Sequence, residues 1–297
     1  MTTAGHAGYL VKLKPFWLKL EVMRMDFEIV DGIICYAPDI AREEDGYPAQ
    51  GFDVTDELEQ SSFWVRSRNR LLIHLFRRFV AREGTPDVLE IGCGTGNFLG
   101  ELSRSGMYNV TGSEAYLAGL RYARLKRPGI KFIQMDALRI PFQEEFDAVG
   151  MFDVLEHIED DSTVLANIHG ALRPGGTVII SVPQYQFMWS ELDELVHHKR
   201  RYSRSDLLEK ISRAGLDVTF STSFVCTLFP LMLAKRFLGR RSSPEHTYRQ
   251  SLETHVKFSP WLNGIMDRMT TFDEFLIRRG ASLPFGGTLV VVARKRP

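Results

Sequence analysis

Asp87-Val-Leu-Glu-Ile-Gly-Cys-Gly-Thr-Gly-Asn97 reads as a strand, a glycine turn and the start of a helix. Val88, Leu89 and Ile91 form a short apolar run of the kind that parallel sheets bury on both faces. Gly92, Gly94 and Gly96 then let the backbone turn sharply and approach a ligand closely, while the next helix offers free N–H groups and the positive end of its dipole. A small ligand is expected here.

Outward from this turn the chain alternates between strand and helix patterns. Strands are expected near 87–91, 108–113, 130–135, 146–152, 176–182 and 216–222, with helices near 97–105, 115–126, 160–172 and 204–214. Arg173-Pro-Gly-Gly176 reads as the turn ending one helix, and Ser203-Arg-Ser-Asp206 as a capping box. That order predicts a doubly wound α/β domain. Upstream, Leu72, Leu75, Phe76, Phe79 and Val80 recur at helical spacing between arginines, which predicts a helix lying against the sheet. Residues 27–36 suggest a hairpin around Asp31-Gly32, and 38–56 a loop. Downstream, Phe224–Leu238 is apolar with a basic end, Phe258–Ile277 suggests another helix, and Gly287–Arg294 has the β-branched content of a central strand. The expected division is an N-terminal extension (1–58), a core (59–223), a helical insertion or lid (224–284) and the last core strand (285–297).

Composition is that of an ordinary globular protein, with 44% hydrophobic residues and 37 basic against 37 acidic side chains. The balance conceals an asymmetry: residues 1–196 hold 19 basic and 29 acidic side chains, whereas 197–297 hold 18 and 8. Either two halves attract each other, or the second presents a basic face to an anionic substrate or membrane. Cys35, Cys93 and Cys226 lie far apart without C-x-x-C spacing, which argues against a disulfide framework or zinc ribbon and suits a reducing cytoplasm. No secretory signal is expected, since Pro15, Lys19 and Glu21 interrupt the N-terminal apolar run. No stretch reaches the roughly 18 apolar residues of a spanning helix.

In a dinucleotide-binding fingerprint, G-x-G-x-x-G, the third glycine would fall at Asn97. The chain has G-x-G-x-G instead, preceded by Glu90. Leu89-Glu-Ile-Gly-Cys-Gly-Thr-Gly96 resembles the first motif of class I S-adenosylmethionine-dependent methyltransferases. Val110-Thr-Gly-Ser-Glu114 resembles their second strand, whose terminal acid holds the ribose diol. Gln134-Met-Asp136-Ala137 resembles the third, whose acid contacts the adenine amine, and Phe146–His157 the fourth. Ser62-Phe-Trp-Val-Arg-Ser-Arg68 resembles the helix that precedes the first strand in many bacterial members, where an arginine reaches the cofactor carboxylate. The stretches Met188–Asp193, His197–Tyr202 and Ser282–Lys295 resemble a bacterial branch similar to the type 11 and type 23 methyltransferase domains.

The resemblance implies a seven-stranded, mostly parallel Rossmann-like sheet with the last strand reversed, and S-adenosylmethionine as cofactor. It places Trp64 and Arg68, then Glu90, Gly92, Cys93, Gly94 and Gly96, then Glu114, Asp136, Ala137 and Phe152 around that cofactor. His157 and His198 are the candidate catalytic residues, because an imidazole titrates near neutral pH. Asp153, Glu156 and His157 have i, i+3, i+4 spacing and on a helix would share a face able to hold Mg²⁺. That string also resembles the acid-rich motif of quinone-biosynthesis O-methyltransferases; similar strings occur in metal-free relatives, and a metal-free site is the reading taken.

The acceptor implied is a small molecule or a lipid- or sugar-linked intermediate, methylated at oxygen. Nucleic acid is disfavoured, because Val182-Pro-Gln-Tyr-Gln-Phe187 lacks the Asn-Pro-Pro-Tyr type of motif. Residues 224–241 form either a lid helix or, through Lys235, Arg236, Arg240 and Arg241, a peripheral contact with the inner face of the membrane. The alternatives are a nucleotide-cofactor (NAD-type) oxidoreductase and a non-catalytic S-adenosylmethionine-binding protein. Oligomeric state is not legible.

Overall fold

A computed structural model describes residues 27–41, 59, 61–80, 84–238 and 258–297. The chain order is β1 (Glu28–Val30), β2 (Ile33–Cys35), α1 (Phe63–Phe79), β3 (Asp87–Ile91), α2 (Asn97–Ser103), β4 (Asn109–Glu114), α3 (Leu117–Lys126), β5 (Lys131–Gln134), β6 (Phe146–Phe152), α4 (Asp161–Ala171), β7 (Leu172–Pro183), α5 (Glu191–Leu195), α6 (Arg204–Arg213), β8 (Leu216–Phe224), α7 (Phe229–Leu238), α8 (Pro260–Arg278) and β9 (Thr288–Lys295).

These strands form one sheet in the order β1-β2-β5-β4-β3-β6-β7-β9-β8. β9 is antiparallel to both β7 and β8, and the strands from β2 to β7 run parallel. The seven strands expected from the resemblance are present with the last one reversed, and the sheet is longer than expected, at nine. The addition is the N-terminal hairpin. Asp31 and Gly32 both have positive φ (53° and 74°), as a tight two-residue turn requires, and β2 docks in parallel on the free edge of β5. Local pattern predicts a hairpin, but an open edge elsewhere decides where it pairs.

Alternation along the buried strands sends side chains into two cores. Val88, Ala148, Ile179 and Val290 face α1, α2 and α3, whereas Leu89, Val149, Ile180 and Val291 face α4 and α6. The expected turn at Arg173–Gly176 is instead an irregularity within β7, where pairing slips between Phe146–Leu172 and Ala148–Thr177. At α6, Ser203 Oγ accepts from the Asp206 N–H as expected; the reciprocal capping box lies at Ser190 and Asp193, the start of α5.

α8 lies alongside α1. Arg70 bridges to Asp267 and Glu274 (2.9 and 2.6 Å), and Asn263 Oδ1 accepts from the Phe63 N–H (2.8 Å). The last helix of the 224–284 segment thus supports α1. Arg240 and Arg241 fall outside the described residues. Among the described residues no helix is long and apolar enough to cross a membrane.

Candidate functional site

Strand order reverses between β3 and β6, where connections leave in opposite directions and open a crevice at the carboxyl ends of the strands. Gly92, Gly94 and Gly96 all have positive φ (72°, 51° and 72°). They differ in surroundings. A Cβ at Gly92 would lie 2.3 Å from Val154 Cγ2, so this glycine lets the β3 turn touch the β6 turn. A Cβ at Gly94 would meet nothing within 4 Å, so this glycine opens onto the crevice.

Acids surround the turn. Glu114, at the end of β4, accepts from the Gly94 and Ala115 N–H groups (3.2 and 2.8 Å). Glu90 is buried on β3, and its Oε2 has no hydrogen-bond partner. Burial pushes the Glu90 carboxyl well up; Arg68 pulls it down, while Glu59 and Glu114 add to the rise. Glu59, ahead of α1, accepts a short bond from Thr95 Oγ1. Sequence reading missed Glu59, since only folding brings it to the loop.

The Arg68 guanidinium stacks on Trp64 (4.9 Å to the ring centroid) and bonds to Asp153 Oδ2 (2.8 Å), and its buried Nε has no partner. An orphaned carboxylate oxygen, an orphaned guanidinium N–H and an open glycine fit a ligand with an ammonium, a carboxylate and a sulfonium. They fit a pyrophosphate poorly, since three carboxylates would face it. Asn97 adds to this: its Oδ1 accepts from Asn69 Nδ2 (2.7 Å), tying α2 to α1 where a dinucleotide fold needs glycine.

Other expected cofactor residues line up less directly. Asp136 caps the single 3₁₀ turn that follows β5, accepting from the Leu138 N–H (2.8 Å) and Arg139 (3.2 Å), and the Ala137 carbonyl accepts from Asn167 (3.2 Å). Phe152 packs against Phe98 and Phe76 (ring centroids 4.8 and 6.3 Å), and the Cys93 thiol, raised by burial, also lies in the core. Both side chains are buried against the core beneath the turns.

The β6 end supplies the second half of the site. Asp153 has φ 56°, and Leu155–His157 is one turn of 3₁₀ helix, so the i, i+3, i+4 face expected for Asp153, Glu156 and His157 does not form. Asp153 turns to Arg68 instead. Glu156 and His157 meet His198, with ligand-capable atoms of the three residues within 4.8 Å of one another. The two imidazoles stand edge to face at 4.7 Å.

Asp193 Oδ1 lies 2.8 Å from His198 Nδ1, and the same carboxylate takes Arg201 through both oxygens (2.7 and 2.9 Å). Burial would raise the Asp193 carboxyl, but the bonds from His198 and Arg201 outweigh it and hold it well below the usual range. An ionised Asp193 thus fixes His198 with Nδ1 as donor, leaving Nε2 facing Glu156 (3.7 Å). Burial, with His198 and His197 nearby, holds the His157 imidazole down at about 4, and the Val196 carbonyl takes its N–H. Glu156 is wholly buried, both its oxygens lack partners, and burial together with Asp153 raises it. Asp193 was legible only as part of a quoted stretch; its role depends on a capping box that aims it at His198.

The chain matches the methyltransferase domain family over residues 89–180. It is 28% identical over 176 residues to a protein of Mycolicibacterium smegmatis described as "Probable S-adenosylmethionine-dependent methyltransferase", covering 58% of this chain and 66% of that one. It is 31% identical over 150 residues to a ubiquinone biosynthesis O-methyltransferase of Pseudomonas aeruginosa, covering 44% and 64%. The chain thus spans under two thirds of the length of either relative. Among solved structures, phosphoethanolamine N-methyltransferase 2 of Haemonchus contortus, in complex with S-adenosyl-L-methionine, has the same fold at a TM-score of 0.56 and 18% identity, covering 90% of this chain and 61% of that one. The glycine turn, the acids around it and these likenesses agree: the chain carries a class I S-adenosylmethionine-dependent methyltransferase domain, built on residues 89–180 and the strands that flank them.

Proposed function

We propose that the chain transfers a methyl group from S-adenosylmethionine to an oxygen of a small-molecule or lipid- or sugar-linked acceptor. The observation behind this reading is an acid-lined glycine turn after β3 together with a half-buried histidine pair, His157 from the turn after β6 and His198 from the loop before α6. When bound, the cofactor supplies an activated methyl group, and the protein must position both partners, exclude water and remove one proton. Arg68 would hold the cofactor carboxylate, Glu90 its ammonium and Glu114 its ribose. His198, aimed by Asp193, and His157, unprotonated at neutral pH, are the groups placed to take the acceptor hydroxyl proton. The likeness to a ubiquinone biosynthesis O-methyltransferase supports a phenolic or catechol-like hydroxyl as the acceptor class.

The test is incubation of the full chain with methyl-labelled S-adenosylmethionine and catechol-type, quinol and phosphoalkanolamine acceptors. S-adenosylhomocysteine formed together with a labelled methyl ether supports the reading. Cofactor binding without turnover on any acceptor favours a non-catalytic binding protein, and titration with NAD separates the oxidoreductase alternative.

A second reading has its own observation. The unpartnered Glu156 oxygens, with nitrogens of His157 and His198 within reach of the same point, form a donor set that suits Mn²⁺ or Zn²⁺ better than Mg²⁺. An ion there would lower the pKa of an acceptor hydroxyl directly. Turnover that survives exhaustive chelation removes this variant and leaves the histidines as the base.

A further inference from the structure

The two C-terminal helices carry their polarity reversed relative to a water-facing helix. α8 turns its acids inward: Asp267 and Glu274 take Arg70, and Asp273 accepts from the Cys226 and Thr227 N–H groups just ahead of α7 (2.6 and 3.2 Å). Outward it shows Trp261, Ile265, Met269, Phe272 and Phe275, each 36–69% exposed. Their spacing places them along one face of the helix. On α7, Leu231 and Phe237 are exposed at 56% and 73%, beside exposed Lys235 and Arg236. Seven of the thirteen exposed large hydrophobic side chains among the described residues thus lie on these two helices. The five on α8, sharing one face, form a patch rather than the scatter normal to a surface.

The charge around it points to the occupant. Among the described residues of 224–284 no acid is exposed, whereas Lys235, Arg236, Arg268, Arg278 and Arg279 are. The chain joining the helices, 239–257, adds four basic residues against two acidic ones. A second copy seated on the same face would set arginine against arginine, which disfavours self-association. α8, at 19 residues about 28 Å long, has Arg268 in its middle and suits lying flat in an interface.

We propose that the outward faces of α7 and α8 dock the protein on an anionic lipid bilayer, with the aromatic and aliphatic side chains entering the headgroup boundary and the basic ones lying against phosphates. Sequence reading placed this possibility in 224–241 alone; the structure puts most of the apolar surface on α8. The start of α7 reaches the residues that follow the end of β7. Phe229, the first residue of α7, packs against Tyr185 and Phe285 (ring centroids 5.6 and 5.7 Å), and Tyr185 follows the end of β7 and stacks on exposed Phe187.

The experiment is flotation of the full chain with vesicles of phosphatidylcholine alone or mixed with phosphatidylglycerol, at low and high salt. Binding is expected only with the anionic vesicles, and to weaken with salt. Trp261→Ser/Phe272→Ser/Phe275→Ser should reduce partitioning by about tenfold or more, and Arg268→Gln and Arg279→Gln by about fivefold each. Thermal melts and S-adenosylhomocysteine affinity should not change, which shows that the variants are folded. The proposal falls if the protein does not float with anionic vesicles at low salt, or if the triple variant floats like wild type. It also falls if sedimentation shows a dimer that the triple variant dissociates. Flotation needs no acceptor or turnover, so its failure leaves the methyl-transfer reading intact.

Discussion

Replacing Gly94 by arginine separates the cofactor reading from a merely structural role for the glycine turn. Gly94 sits at φ 51°, and its missing Cβ faces nothing within 4 Å. A side chain there costs the left-handed backbone penalty of about 1–2 kcal/mol and no clash at the first carbon. The melting temperature should fall by roughly 2–8 °C, with the protein still folded. Beyond Cβ the arginine would fill the crevice, so affinity for S-adenosylhomocysteine should drop by about a hundredfold or more, equivalent to at least about 2.7 kcal/mol. Gly106→Arg is the matched control, because Gly106 has φ 64°, open surroundings and a place on the turn after α2 away from the crevice. Gly92→Ala is the contrast: its Cβ would lie 2.3 Å from Val154, which adds about 1–3 kcal/mol of overpacking to the backbone strain. Isothermal titration reads the affinity and a thermal melt reads the fold. Wild-type affinity in a folded Gly94→Arg protein, or an equal loss in Gly106→Arg, would refute the placement of the cofactor.

Substituting His157 or His198 by alanine should lower turnover by about 10²–10⁴-fold with cofactor affinity nearly unchanged, in steady-state kinetics paired with titration. Asp193→Asn, which leaves the shape but weakens its hold on His198 Nδ1, should act the same way with a shifted pH–rate profile. Because His157 is held down at about 4 against an ordinary 6.5, the unfolded chain takes up its proton first as pH falls. Its contribution to stability is therefore complete above about pH 6.5 and is lost toward pH 4, costing about 2 kcal/mol between pH 7 and 5. Glu156, raised by burial, responds in the opposite direction, so the comparison is His157→Gln against wild type by urea melts at the two pH values. Asn97→Ala removes one of two acceptors of the Asn69 amide, which keeps Glu101 Oε1 (3.2 Å), and should cost about 0.5–1.5 kcal/mol of stability. Its affinity for S-adenosylhomocysteine should stay near wild type, and a large fall would assign Asn97 to the cofactor.

Much of the fold was legible because both of its signals are local. The limits of β3 and β6 match the apolar runs at 87–91 and 146–152, and α1, α4 and α6 fall where spacing and caps put them. Glu114 ends β4, and Asp136 and His157 follow β5 and β6 within a few residues, because a strand that stops at an acid or a turn signal stops there whatever its neighbours are. The shared face that helical spacing would give Asp153, Glu156 and His157 does not form. Helical spacing was assumed where Asp153, at positive φ, breaks the helix and sends its carboxylate to Arg68.

The sequence alone determined the alternation of elements, the two-sided burial of the strands, the open glycine turn and its departure at Asn97 from a dinucleotide pattern. Period, turn chemistry and apolar runs express themselves within a few residues, without reference to the rest of the chain. Only the tertiary structure decided which charges meet. Glu59 reached Thr95 across 36 residues, Arg68 reached Asp153 across 85, and Glu156 and His157 came to lie beside His198. The acids of α8 were drawn inward by Arg70 and the N–H groups just ahead of α7, leaving its aromatic residues outside. Coulombic and hydrogen-bonding partners are chosen by proximity in space, and a linear sequence does not record that distance.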